Sequence, residues 1–195
     1  MYPSHELVIP DNNFSNIPFE TLTDDQDNYL NQYYDISYVQ SLKSLSLLQK
    51  RNSSVSYSKD VLVFGNPDYS NYGESSSGDY INQYRELGYN DWGPLPGTKV
   101  EIENIEKNIA SVDVYEGAMA SESNIKEVSE SGKLNEYKIL HFATHGLLVA
   151  DQPELNALVL SKRDNDSVED GYLRTSEILG LELSAELVNL SACET

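Results

Sequence analysis

Two side chains in this sequence are of types that can do covalent chemistry together: Cys193, the only cysteine, and His145, in the run His141-Phe142-Ala143-Thr144-His145-Gly146. A free thiol titrates at about 8.5 and is mostly protonated at neutral pH, so a nucleophilic cysteine needs a nearby base or cation to form thiolate. An imidazole is such a base, and it can afterwards return the proton to a departing amine. Each residue follows an expected strand, with Ile139-Leu140 before the histidine and Ala185 to Ser191 before the cysteine. Gly146 lets a substrate come close to the backbone. Both residues also have a plainer reading. Free cysteine is among the most buried residue types, and a lone histidine near a core is usually a hydrogen-bonded structural residue. Cys193 is followed by Glu194 and Thr195 rather than by more apolar residues, which puts the thiol at the rim of an ending strand.

Other chemistries find no support in the pattern. His141 and His145 are spaced as in H-E-x-x-H zinc sites, but no glutamate follows the first histidine. A strand is expected there too, so the two imidazoles need not share a face. No metal and no cofactor are expected, and His141 should pack inside or hydrogen-bond a neighbouring strand. The chain lacks G-x-S-x-G and G-x-x-x-x-G-K-[ST], which leaves serine-hydrolase and P-loop readings without a basis.

The elements that would carry these residues alternate between buried strands and amphipathic helices. Strands are expected at Tyr33 to Val39, Val61 to Gly65, Val112 to Tyr115, Tyr137 to Phe142 and Ala185 to Ser191. Leu155 to Ser161 reads as extended, and Asp170 to Leu173 as a turn into a short strand. Helices are expected at Ser41 to Lys50, Ser121 to Ser131 and Thr175 to Leu181, the last opened by a hydroxyl cap. Thr98 and Glu101 form a T-x-x-E capping box ahead of a helix that sets Ile102, Ile105 and Ile109 on one face. Residues 68–92 show little periodicity and many turn formers, so they are expected to form a flexible loop and a site for nicking or regulation. This alternation indicates an α/β fold with a largely parallel sheet. Chemistry in such folds gathers beyond the carboxyl ends of the strands, where both His145 and Cys193 fall.

A chain of 195 residues fits one domain with a real core. Thirteen Lys plus Arg against 32 Asp plus Glu give a net charge of −19, which repels phosphate backbones and argues against nucleic-acid binding. No apolar stretch approaches the ~20 residues of a membrane helix. The start carries no signal-peptide pattern, so a cytoplasmic location is expected. One cysteine allows no internal disulfide.

The blocks "IPFETL", "LVFGNP", "LPGT", "ILHFATHG", "PELNALVLS" and "DGYLRTSEILGLELSAELVNLSACET" resemble, in order, those of the CHAT domain family. These are caspase-like domains often found beside tetratricopeptide repeats in bacteria. In caspases a catalytic histidine precedes the cysteine motif by about 50 residues; here the separation is 48. The resemblance implies a caspase-like three-layer α/β sandwich with a mostly parallel central sheet. It also implies a cysteine-type endopeptidase in the complete parent, with Cys193 as nucleophile and His145 as general base. The oxyanion hole would be made by the backbone N–H groups of Gly146 and Cys193, such donors being worth ~3 kcal/mol each. Asp151 and Glu154 follow the histidine loop and would favour a basic residue before the cleaved bond, although solvated loop acids are the plainer reading. The implied partners are a protein or peptide substrate and tetratricopeptide-type repeats in the parent chain. The family continues beyond the cysteine motif, so the domain is expected to be incomplete at its C-terminus, and the implied activity does not extend to the isolated chain. The alternative function is a non-catalytic scaffold of the same fold, or an inactive fragment of it.

Overall fold

The computed structural model describes residues 4–11, 14, 17–51, 55–72, 78–89, 91–163 and 169–192. The chain divides into two compact units, Met1–Val55 and Ser56–Thr195. In the first, β1 (Ser4–Val8) pairs in parallel with β2 (Tyr34–Tyr38), and α1 (Leu42–Arg51) follows. Between the strands, Asp24 Oδ1 accepts the backbone N–H groups of Gln26 and Asn28 at 2.8 and 3.0 Å, closing a turn. Those two donors hold its carboxyl below the usual range.

The second unit is built on a four-stranded parallel sheet in the order β4 (Val112–Gly117), β3 (Lys59–Pro67), β5 (Tyr137–Ala143), β9 (Leu187–Ser191). The centre of β3, Val61 to Gly65, reads as an unbroken apolar run and β5 is apolar but for Lys138 and His141, because both faces of these strands are covered. On one face, the pairs Leu62↔Leu140 and Phe64↔Phe142 align the side chains that meet α4 (Glu122–Glu130) through Ile125 and Val128. On the other, Val61 and Val63 pack under Ile102 of α3 (Pro96–Asn108). Helices on both faces of a parallel sheet make the three-layer α/β sandwich expected from the sequence. No helix among the described residues is long and apolar enough to cross a membrane.

Beyond the carboxyl end of β5, a second sheet runs antiparallel: β6 (His145–Leu147), β7 (Ala157–Val159) and β8 (Tyr172–Arg174). Each strand has three residues, too few to leave an alternating pattern in the sequence. A separate core cluster packs against it, with Tyr69, Tyr84, Trp92, Leu147, Leu155 and Tyr172 all buried.

Three local expectations need correction. Residues 68–92 are not irregular throughout: α2 (Asp79–Glu86) forms there and buries Ile81 and Tyr84, one helical turn apart. The helix α3 begins before the anticipated cap. Pro96 takes its first position, where the fixed φ suits a helix and the missing N–H costs nothing, and Thr98 instead donates to the Leu95 carbonyl at 2.7 Å. Thr175 is likewise the first residue of α5 (Thr175–Ile178) rather than its cap. The cap is Arg174, whose N–H donates to Glu177 Oε2 at 2.8 Å. By contrast Ser121 caps α4 as a hydroxyl should, its Oγ accepting the Asn124 N–H at 3.3 Å.

Candidate active site

His145 opens β6 and is 7% exposed. Its ring sits between two aromatic neighbours, with centroids 5.2 Å from Tyr69 and 5.1 Å from Trp92. Nε2 lies 2.8 Å from the carbonyl oxygen of Gly93. A carbonyl only accepts, so in this bond Nε2 carries the proton, and the neutral ring keeps its lone pair on Nδ1. That is the tautomer a base working through Nδ1 requires.

The seat is fixed by a second layer of contacts. The Tyr69 hydroxyl is 2.8 Å from Thr144 Oγ1 and receives the His145 backbone N–H at 3.4 Å. Thr144 Oγ1 also donates to the Val159 carbonyl across the β6–β7 pairing. Burial pushes the Tyr69 phenol upward, so it stays neutral and available as donor and acceptor. On the other side, Trp92 Nε1–H donates to the Tyr172 hydroxyl at 3.0 Å, which in turn donates to the Tyr89 carbonyl at 2.7 Å. Burial raises the Tyr172 phenol to about 12.

The sheet register relates this histidine to the cysteine segment. In the parallel β5–β9 ladder Ala143 stands beside Ser191. His145 follows Ala143 by two residues, and Cys193 follows Ser191 by two. Cys193 itself, and with it the second oxyanion donor, lies outside the described residues. Gly146 is partly exposed, next to the histidine. Beside it is a cavity of about 230 Å³ lined by Gly146, Leu148, Leu158, Ile178, Leu190 and Ala192, among others. Asp151 and Glu154 are both exposed, and neither lines this cavity.

His141 is engaged elsewhere. On β5 its Nδ1 is 2.8 Å from Asn189 Nδ2 of β9. Its Nε2 is 3.1 Å from Glu101 Oε1 but makes no hydrogen bond with it. The two histidines therefore have separate partners. Among the described residues, the side chains that come within metal-ligand distance of one another are Glu122, Glu169 and Glu177. Lys126 Nζ already occupies their centre, 2.7 Å from both Glu122 and Glu177 and bonded to Glu169. Glu122 also accepts the Gly171 N–H at 2.8 Å, tying α4 to β8. Burial pushes the Glu122 carboxyl up to about 9, with Glu169 and Glu177 beside it adding to the rise.

Sequence reasoning missed Tyr69, Trp92 and Gly93. The single tryptophan, set beside a Gly-Pro step in a polar stretch, was the available signal. Gly93 acts through its carbonyl and leaves no side-chain signature.

The family model described as CHAT domain matches residues 4–195. No curated protein and no solved structure matches the chain.

Proposed function

Because the chain belongs to the CHAT domain family, which is caspase-like, we propose that it is the catalytic part of a cysteine endopeptidase acting on protein or peptide substrates. What supports this most is the state of His145: its Nε2–H is held by the Gly93 carbonyl, and its Nδ1 is left as the basic nitrogen. In this reading Nδ1 takes the proton of the Cys193 thiol, and the thiolate attacks the carbonyl carbon of the scissile bond. Negative charge then moves to the carbonyl oxygen, facing the N–H groups of Gly146 and Cys193. As the tetrahedral adduct collapses, the C–N bond breaks and Nδ1–H delivers its proton to the amine. A thioester remains. Water attacks it with His145 again as base, the C–S bond breaks, and the thiol is restored.

The test uses the full-length protein, with cleavage of casein and of a peptide library followed by mass spectrometry. Cys193→Ala and His145→Ala each abolish cleavage on this account. Proteolysis unchanged by both substitutions contradicts it. A second reading, a non-catalytic module of the same fold, draws on the burial of His145 within an aromatic cluster, as befits a structural histidine. It predicts no cleavage and a loss of stability in His145→Ala.

A further inference from the structure

The cavity beside Gly146 bears on what such an enzyme would cut. It lies between the β6–β7 hairpin, α5 and the end of β9, and it touches the immediate neighbour of each proposed dyad member: Gly146 after His145, and Ala192 before Cys193. Among the described residues, its wall contains no charged side chain. Leu148, Leu158, Ile178 and Leu190 supply apolar surface. Of the polar groups there, Asn156 Oδ1 accepts the Val149 N–H at 2.7 Å, and the Asn156 carbonyl accepts the Thr175 N–H at 3.3 Å. The nearest charges on α5 also face elsewhere, with Glu177 bound to Lys126 and Arg174. At about 230 Å³ the cavity is below the ~300–1,000 Å³ of small-molecule sites and suits a single side chain.

We infer that this cavity receives the side chain of the substrate residue on the amino side of the scissile bond, and that it selects an uncharged apolar residue of leucine or methionine size. The inference rests on the peptidase reading given above. A charged side chain would leave its hydration shell and find no counter-charge among the described residues of the wall. An apolar one gains burial, and pockets of this kind discriminate by ~tenfold or more. Ile178 is a specificity-determining residue that can be changed, because it is 38% exposed and lies outside the buried core.

The experiment measures alkylation of Cys193 in the full-length protein by three peptidyl chloromethyl ketones, identical except for Leu, Arg or Asp next to the ketone. Sγ forms the S–C bond and chloride leaves; intact mass and peptide mapping give the rate at Cys193. The leucine reagent should react at least tenfold faster than the other two. In Ile178→Glu its advantage over the arginine reagent should be lost. Equal rates, an arginine or aspartate preference, uniformly slow reaction as from a cavity filled by another segment or partner, or an unchanged order in Ile178→Glu would each overturn the inference. Iodoacetamide, which carries no peptide, is run alongside. A thiolate seen by iodoacetamide at low pH without leucine selectivity removes the pocket inference alone, whereas no thiolate at low pH removes the dyad reading.

Discussion

Replacing Trp92 with alanine tests whether the histidine seat is a packed structure or a loose arrangement. The indole is 7% exposed and contacts His145, Tyr89 and Tyr172 through its ring faces and edges. Removing a buried aromatic of this size costs about 3–5 kcal/mol in lost transfer energy and residual cavity. The hydrogen bond to the Tyr172 hydroxyl goes too, but that hydroxyl keeps its own bond to the Tyr89 carbonyl, so no buried donor is orphaned. The larger figure in the range is therefore not exceeded. Trp92→Phe keeps a ring in place and should cost only about 1–2 kcal/mol. Urea unfolding followed by far-UV circular dichroism reads both. With a slope of ~2 kcal/mol per molar urea, the alanine variant's midpoint should fall by about 2 M and the phenylalanine variant's by less than about 1 M. A shift below about 0.5 M for Trp92→Ala would refute the argument that this ring anchors His145.

Glu122 sets a pH dependence of stability. Folded, its carboxyl keeps a proton up to about 9; unfolded, it loses it near its ordinary value of 4.5. Between those limits the native state binds the extra proton, so stability falls as pH rises, by at most ~1.4 kcal/mol per pH unit for one proton. Thermal unfolding of Glu122→Gln should show a flatter profile across that window, and an unchanged slope would count against the assignment. Gly65→Ala should destabilise by about 1–3 kcal/mol, since an added Cβ would meet Ile102 Cδ1 at 2.9 Å and Ala143 Cβ at 3.1 Å. Adding Ile102→Val removes the closer atom, so the double variant should lose less than the sum of the singles in denaturant titration. The ¹⁵N spectrum of the imidazoles at neutral pH should show His145 protonated on Nε2, and a signal from the Nδ1–H tautomer would contradict the Gly93 contact.

The large elements were legible because burial on both faces writes itself into composition. The apolar centres of β3 and β5 and the Ile102, Ile105, Ile109 stripe, whose last member is the C-cap of α3, all stand out in the sequence. Helix α2 was hidden because only Ile81 and Tyr84 mark its buried face, set among Asn, Gln, Arg and Glu, and tertiary packing rather than propensity decides it. The charge cluster was half-visible. Glu122 and Lys126 form an i,i+4 pair, but Glu169 and Glu177 join them from 43 and 51 residues away from Lys126. Of the site, the histidine was evident from its position after a buried strand. Its supports were not, because Gly93 acts through backbone and Tyr69 and Trp92 come from the stretch with the least periodicity.

Catalysis of this kind requires the Cys193 thiol and the His145 imidazole to meet. The rate at which iodoacetamide alkylates Cys193, followed by mass spectrometry from about pH 5 to 9 in the native protein and in His145→Ala, tests it most directly. With the two groups in contact, reaction should persist well below pH ~7 in the native protein, and the profile should move toward the ordinary thiol value of ~8.5 in the variant. Two superimposable profiles, both centred near ~8.5, would contradict it.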